Sequence, residues 1–276
     1  MKLSKNKYSG IFLIDLDGTL LNAKKEIGDK DWQTLIKLEK LNYLRVFATG
    51  RTYYSAHQVL NENFPFDYLI FSSGAGIKNM KTGEIIFKAN LNSTQINETI
   101  DVLRKLNVNF SIQHPIPDNH IYHYHEGKKS NTDFEWRNNL YKKYAHPLNS
   151  KFPKNEATQF LVILENEDEF NKVKSRINNL KVIRATSPID GKSIWLEIFP
   201  QGVSKAAGGK FLCKTLNIPQ EKTIGIGNDY NDLDLLAWTN QSFAVANSPE
   251  ILKAKYTLCT DNENNPLTDV VNKLSF

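Results

Sequence analysis

Cysteine is scarce in this chain: Cys213 and Cys259 are the only two in 276 residues. They form no CxxC pair and no metal-ligand spacing, which excludes a cysteine-rich scaffold and a cysteine-built metal site. A reduced, cytoplasmic protein is expected. No run of five or more Lys/Arg occurs, and the net charge is only +5. So diffuse a positive balance suits anionic small molecules and gives no argument for nucleic acid. Long apolar runs are missing as well. The N-terminal MKLSKNKYSG is polar, and the apolar run after it stops at Asp15. Neither a signal peptide nor a membrane span is expected. Internal repeats and low-complexity segments are also absent.

What remains is an ordinary globular composition, 40% hydrophobic and 24% charged, long enough for one large domain or two modest ones. Periodicity predicts a helix over Lys30–Leu41, strands at Leu44–Ala48 and Tyr68–Phe71, and a helix over Tyr53–Leu60. Short loops between these elements predict right-handed crossovers and a parallel sheet. The pattern then changes. Ile77–Lys88 reads as a hairpin turning at Lys81–Glu84. Ser93–Leu106 reads as a helix with Ser93 at its N-cap. Strands are expected at Val108–Ile112, Ile121–His125, Gln159–Leu164, Lys181–Ala185 and Ser193–Phe199, with a helix at Glu167–Ile177. Asn131–Pro153 reads only as helix then loop. From Gly202 the alternation returns: a helix over Ser204–Leu216, a strand at Thr223–Ile226, a helix at Leu233–Trp238, a strand at Phe243–Ala246, and a helix starting near Ser248 with Pro249 at N1. The expected architecture is α/β: a Rossmann-like parallel-sheet core of residues 1–76 and 199–276, interrupted by an α+β insertion of residues 77–198.

The most informative segment is Ile11-Phe12-Leu13-Ile14-Asp15-Leu16-Asp17-Gly18-Thr19-Leu20. Its apolar half reads as a buried strand, which puts two carboxylates at the C-terminal edge of a parallel sheet, where ligands bind. Two such carboxylates can share a divalent cation. One can attack a phosphorus centre while the other moves protons. Gly18 permits the sharp turn that follows. Thr49-Gly50 ends the second strand with a hydroxyl and a backbone N–H suited to phosphate oxygens, though standing alone it is an ordinary helix cap. Arg51 is expected to support this loop by pairing with a carboxylate. Lys205 opens a helix, from which it can neutralise two carboxylates and a phosphoryl group. Gly227-Asn228-Asp229-Tyr230-Asn231-Asp232 clusters acids and amides directly after an apolar strand, a donor set suited to Mg²⁺.

DLDGT at 15–19, ATGR at 48–51, SK at 204–205 and GNDYND at 227–232 resemble, in order, the four signatures of the haloacid dehalogenase superfamily of phosphohydrolases. The insertion resembles the larger mid-chain cap of its Cof-type subfamily, so the resemblance spans nearly the whole chain. It implies Asp15 as nucleophile and Mg²⁺ ligand, and Asp17 as general acid/base with its carbonyl on the metal. It implies that the Leu16 N–H, Thr49, Gly50, Lys205 and Asn231 hold phosphate. The metal set it implies is Asp15, Asp17, Asn228 and Asp232. Two departures stand out. Asn228 occupies the place of the family's usual metal aspartate, so Asn228, Asp229 or Asp232 completes the site. Ser73-Gly74-Ala75 stands where Asn-Gly-Ala is usual, which touches a contact near the phosphate.

The implied activity is hydrolysis of small phosphorylated metabolites, sugar phosphates first, with Mg²⁺ as cofactor and an aspartyl-phosphate intermediate. Alternatives are a sugar phosphomutase of the same fold and a catalytically weak phosphometabolite-binding protein, the latter motivated by Asn228. A monomer or weak homodimer is expected. His114, His120, His123 and His125 crowd the insertion. On a strand His123 and His125 share a face while His120 faces away, and no third ligand for a metal is evident. Tyr122, Tyr124, Phe134 and Trp136 read as core of the insertion.

Overall fold

The computed structural model describes residues 8–60, 63–149, 152 and 155–276. The polar N-terminal stretch up to Lys7 lies outside the described residues, as do Ser150, Lys151 and Pro153 of the 131–153 segment. In chain order the first part forms β1 (Gly10–Ile14), α1 (Asp29–Lys40), β2 (Tyr43–Ala48), α2 (Tyr53–His57), β3 (Tyr68–Phe71), β4 (Gly76–Asn79) and β5 (Ile85–Lys88). The middle forms β6 (Leu91–Asn92), α3 (Ser93–Leu106), β7 (Phe110–Gln113), β8 (Tyr122–His125), α4 (Thr132–Leu140), β9 (Ala145–Pro147), β10 (Glu156–Ala157), β11 (Phe160–Leu164), α5 (Glu167–Lys174), β12 (Leu180–Thr186) and β13 (Ile194–Pro200). The last part forms α6 (Lys205–Leu216), β14 (Thr223–Gly227), α7 (Leu233–Trp238), β15 (Gln241–Val245), α8 (Glu250–Lys253), β16 (Thr257–Cys259) and α9 (Pro266–Lys273).

By its internal contacts the chain divides into two compact units. One reaches to Arg51, resumes over Ala56–Phe87 and ends with Ser204–Phe276; the other is Thr52–Ser55 with Lys88–Val203. Among the described residues the first unit holds an eight-stranded sheet in the order β16-β15-β14-β1-β2-β3-β4-β5. The strands from β16 to β3 run parallel, and β4 pairs antiparallel with β3. Every residue of β1 is buried, as its unbroken apolar run requires of a central strand. Successive side chains alternate between the sheet's faces. Ile11 and Leu13 join Leu44, Val46 and Ile70 beneath Leu212 of α6 and Leu235 of α7. Phe12 turns the other way, onto Tyr43 and Phe276. Each such side chain contributes about 2 kcal/mol on burial, which anchors the strand that carries the acidic motif.

The hairpin, assigned to the insertion by the sequence reading, is instead the edge of this sheet. The turn after β3 is short, and a strand leaving a short turn pairs with the one it has just left. Other differences are local. The α3 N-cap is Asn92 rather than Ser93, because Asn92 and Gln95 form a reciprocal capping box. Pro249 is an N-cap, not the first helical residue of α8. The Tyr53–Leu60 helix ends at His57. β6, β10, β16 and α9 had no sequence expectation.

α9 is held by a long-range cap. The buried Asp31 carboxylate accepts from Thr268 N (2.8 Å), Thr268 Oγ1 (2.7 Å) and Leu267 N (3.4 Å). Asn265, at the helix's own N-cap, makes no side-chain capping bond. Asp31→Ala is therefore expected to destabilise the protein by about 2 kcal/mol. Urea titration measures this, and a shift within about 0.5 kcal/mol would show that the cap is dispensable.

The second unit holds a six-stranded sheet among the described residues, in the order β12-β13-β11-β7-β8-β9, antiparallel except for β8 with β9. Phe110, Ile112, Phe160, Val162, Leu196 and Ile198 face Ile96, Ile100 and Leu103 of α3 and Phe170 and Val173 of α5. Tyr122 and Phe134 are buried as expected, but Trp136 is 54% exposed. Trp136 follows the buried Phe134 by two residues on α4, a step of more than half a helical turn, so the two side chains leave the helix on different faces. The His114 and His123 rings stack at 5.4 Å, and no metal-competent group of three or more His, Cys, Asp or Glu exists among the described residues. Burial holds His114, His120, His123 and His125 below the ordinary histidine range. Burial also pushes the Cys213 and Cys259 thiols up to about 11 and about 12, which keeps them unreactive. No helix among the described residues is long and apolar enough to cross a membrane.

Candidate active site

β2, β1 and β14 are adjacent and parallel, so the segments leaving their C-terminal ends emerge side by side. The strand order also reverses here, between β1 and β14, where open α/β sheets form their ligand crevice. Asp15 follows β1, Thr49-Gly50-Arg51 follows β2, and Asn228–Asp232 follows β14. Lys205 opens α6, whose N-cap Ser204 accepts from Ala207 N.

Asp15 is 4% exposed, and its N–H donates to Ile226 O on the neighbouring strand (3.0 Å). Lys205, fully buried, donates to Asp15 Oδ1 (2.6 Å), Asp232 Oδ1 (2.6 Å) and Asn231 Oδ1 (3.3 Å). One ammonium thus serves two buried carboxylates and an amide. Burial raises Asp15 to about 7, helped by the charges of Asp232 and Asp17 and opposed by Lys205. Burial works against the Lys205 charge, yet Asp15 and Asp232 together hold the ammonium above its ordinary range. The lysine stays charged at neutral pH.

Asp17 is in a different setting. Arg51 donates to it as a fork, Nε to Oδ2 (2.6 Å) and Nη2 to Oδ1 (2.7 Å). Arg51 therefore supports the first motif by pairing with its second acid, as its place in the sequence suggests. Lys25 Nζ adds a third bond, to Asp17 Oδ1 (3.0 Å). Burial opposes the charged form of Asp17, but Arg51 and then Lys25 outweigh it and hold the carboxyl below its usual range. Lys25 was not anticipated. It stands on a tight turn organised by Asn22 Oδ1, which accepts from Lys24 N and Glu26 N, and its φ is +63°. The Asn22 turn was readable; the direction of the lysine was not.

Gly18 has φ +74°, and a Cβ there would lie 2.4 Å from Asn228 Nδ2, so the turn needs glycine twice over. The same packing sets Asn228 against the first motif, where its Oδ1 accepts from Thr19 Oγ1 (3.1 Å). Asp229 caps the short turn Tyr230–Asp232 reciprocally with Asp232.

These contacts decide which oxygens suit a cation. Asp232 Oδ1 is held by Lys205, and its Oδ2 accepts from Asn228 N (2.9 Å) and Asp229 N (3.1 Å). Asp232 thereby braces Lys205 and the Asn228 backbone. The donors that fit Mg²⁺ are the Asp15 carboxylate, the Asp17 main-chain carbonyl and the Asn228 amide oxygen. All three are oxygens, and so small a number of protein ligands suits Mg²⁺. On the phosphate side, Thr49 is buried and its Oγ1 accepts from Arg51 N (3.1 Å). The Leu16 carbonyl accepts from Thr19 N and Leu21 N, which closes the loop after β1. Gly50 lies beside the Asn231 amide: a Cβ there would be 3.5 Å from Asn231 Nδ2. Asp15, Gly50, Lys205 and Asn231 are thus linked by contacts within one unit.

A family model described as haloacid dehalogenase-like hydrolase matches residues 12–271. The chain is 22% identical over 253 residues to the 5-amino-6-(5-phospho-D-ribitylamino)uracil phosphatase YcsE of Bacillus subtilis (strain 168), which covers 91% of this chain and 89% of that protein. Among solved structures it is similar to BT1666 of Bacteroides thetaiotaomicron, a phosphatase of the haloalkanoate enzyme superfamily. The TM-score is 0.80 at 17% identity, covering 100% of this chain and 98% of that one. It is also similar to BT4131, a sugar phosphatase of HAD subclass IIB, with a TM-score of 0.76 at 18% identity, covering 96% and 99%. At such identities the structural likeness speaks for the fold.

Proposed function

The chain belongs to the haloacid dehalogenase-like hydrolase family, and from that premise we propose that it is a Mg²⁺-dependent phosphatase of small phosphorylated metabolites, sugar phosphates among them, with Asp15 as its nucleophile. The observation that carries this reading is the buried Asp15–Lys205–Asp232 array at the sheet's switch point, both ion pairs at 2.6 Å. A lysine shared by two carboxylates keeps one of them, Asp15, positioned and charge-balanced in a dry site.

In the first step an Asp15 oxygen attacks phosphorus, and the bond from phosphorus to the leaving oxygen breaks as that oxygen takes a proton from Asp17. In the second, water attacks the same phosphorus, Asp17 takes the water's proton, and the bond to Asp15 breaks to release phosphate. Arg51 and Lys25 stabilise the charged Asp17 that the second step requires, so the protonated form that the first step uses needs those bonds loosened when substrate binds. Thr49, Gly50, the Leu16 N–H, Asn231 and Lys205 hold the phosphoryl oxygens. Mg²⁺, held by Asp15, the Asp17 carbonyl and Asn228, supplies positive charge to offset the phosphoryl oxygens when bound. The first unit takes the catalytic role. Relatives acting on a phosphoribitylamino-uracil and on sugar phosphates support a polyhydroxylated leaving group.

The test is hydrolysis of an aryl phosphate with Mg²⁺, repeated with EDTA, and the stereochemical course at phosphorus with an ester made chiral there by isotopic substitution. Loss of at least about 100-fold on chelation and net retention of configuration at phosphorus, the result of two successive displacements, are expected. Full activity in EDTA, or net inversion at phosphorus, would overturn the metal and the covalent step respectively. Asn228→Asp adds a formal charge to the donor set, so the Mg²⁺ concentration for half-maximal activity is expected to fall about tenfold.

A further inference from the structure

Immediately after β3 the backbone takes three successive residues through the left-handed region: Ser72 at φ +49°, Ser73 at +54° and Gly74 at +106°. Glycine adopts this freely; serine does so under strain, and such strain persists only where surroundings impose it, commonly beside a functional site. The surroundings here are the phosphate-holding segments. Ser72 N donates to Arg51 O (2.7 Å) and Ser73 N to Thr49 O (3.0 Å). A Cβ on Gly74 would lie 2.1 Å from Ser204 O, directly before Lys205. The loop therefore touches the second and third motifs through its backbone.

The Ser73 side chain also lies close to the turn after β2. A Cβ on Gly50 would lie 3.5 Å from Ser73 Oγ and 3.5 Å from Asn231 Nδ2. The hydroxyl and the amide converge on one point of the turn after β2. Asn231 in turn accepts from Lys205 Nζ, which also holds Asp15. Ser73 is fully buried, so it acts on a ligand through its neighbours.

We propose that Ser73 is a positioning residue for the transferred phosphoryl group: its hydroxyl sets the Gly50 backbone and the Asn231 amide at the separation a phosphate needs. The proposal rests on the reading of Gly50, Asn231 and Lys205 as phosphate-holding groups. It explains why serine occupies a left-handed position at which glycine would be unstrained.

Two substitutions separate hydroxyl from backbone. Ser73→Gly removes both the hydroxyl and the strain, whereas Ser73→Ala removes the hydroxyl and keeps the strain. The readouts are the melting temperature and the dissociation constant for inorganic phosphate with Mg²⁺, measured by calorimetry. Ser73→Gly is expected to melt at or above the wild-type temperature yet to bind phosphate about fivefold more weakly, and Ser73→Ala to lose the same affinity from a lower melting temperature. With an aryl phosphate, KM should rise by a similar factor with a smaller change in kcat. Phosphate affinity of Ser73→Gly within about twofold of wild type would overturn the proposal, as would affinity that merely follows melting temperature across the pair. No measurable phosphate binding by the wild type would overturn it too. Where Ser73→Ala does not fold, Ser73→Gly decides alone. Because the readout is binding, a protein that hydrolyses no ester yet shows this Ser73 dependence would refute the hydrolase reading and leave this one standing.

Discussion

Asp15→Asn is expected to lower aryl phosphate hydrolysis by about 10⁴-fold, to the level of the uncatalysed background. The replacement is isosteric, so the amide oxygen still receives the Lys205 bond that Asp15 Oδ1 receives at 2.6 Å. An amide is neutral and cannot displace an alkoxide from phosphorus. Any wild-type activity no greater than that of the variant would defeat the enzyme reading. The same variant makes a stability prediction of a definite sign. Burial, with Asp232 and Asp17 beside it, raises the Asp15 carboxyl from 3.8 to about 7. The native state therefore holds this proton more tightly than the unfolded chain. Stability from the group is fully present below pH about 4 and is lost as pH rises through about 7. Asparagine has no such loss. In metal-free buffer the variant should gain on the wild type between pH 5 and 7.5, read as the difference in melting temperature. Taking the difference cancels the opposing trend of His114, His120, His123 and His125, whose lowered pKa values cost stability as pH falls. A difference that stays constant with pH would show that Asp15 titrates normally.

Lys205→Met is expected to have the largest effect on stability. The lysine is the cation between Asp15 and Asp232, and its side chain and that of Asp232 are wholly buried. Methionine fills similar volume but leaves two like charges facing each other in a dry site. Removing one partner of a buried ion pair costs about 3–5 kcal/mol, a large part of a typical domain's stability. Phosphate binding should vanish with it. Adding Asp232→Asn to this variant removes one of the stranded charges and should recover part of the lost stability without recovering activity. A single variant that melts within about 2 °C of wild type would show that the array is solvated and contributes little.

Asp15 and Asp17 stood out in the sequence because an apolar strand runs straight into them, whereas Lys205, at the start of a helix, carried only a weak signal of its own. Buried strands advertise themselves through unbroken apolar runs, and β1, β2, β3 and β14 were found within a residue or so. β16 and α9 were missed, since Thr257–Cys259 is too short for a period and α9 takes its cap from Asp31, more than two hundred residues earlier. Likewise the Ile77–Lys88 hairpin was seen as a hairpin but placed with the insertion. Its alternation says that it is a strand pair, and nothing in it says which sheet it joins.

The sequence by itself determined the alternation that makes a parallel core, the interruption by an antiparallel module, and the segments that carry the chemistry. These depend on local periodicity, residue type and turn chemistry, which the chain carries wherever it goes. Only the tertiary structure decided the division of labour among those residues. Asp232 braces Lys205 across 27 positions, Asn228 is set against Thr19 across 209, and Lys25 reaches Asp17 through a turn whose direction depends on its strained backbone. Such contacts are set by where strands pair in space. A carboxylate's role follows from the cation or amide that reaches it first, and that partner is fixed by the fold.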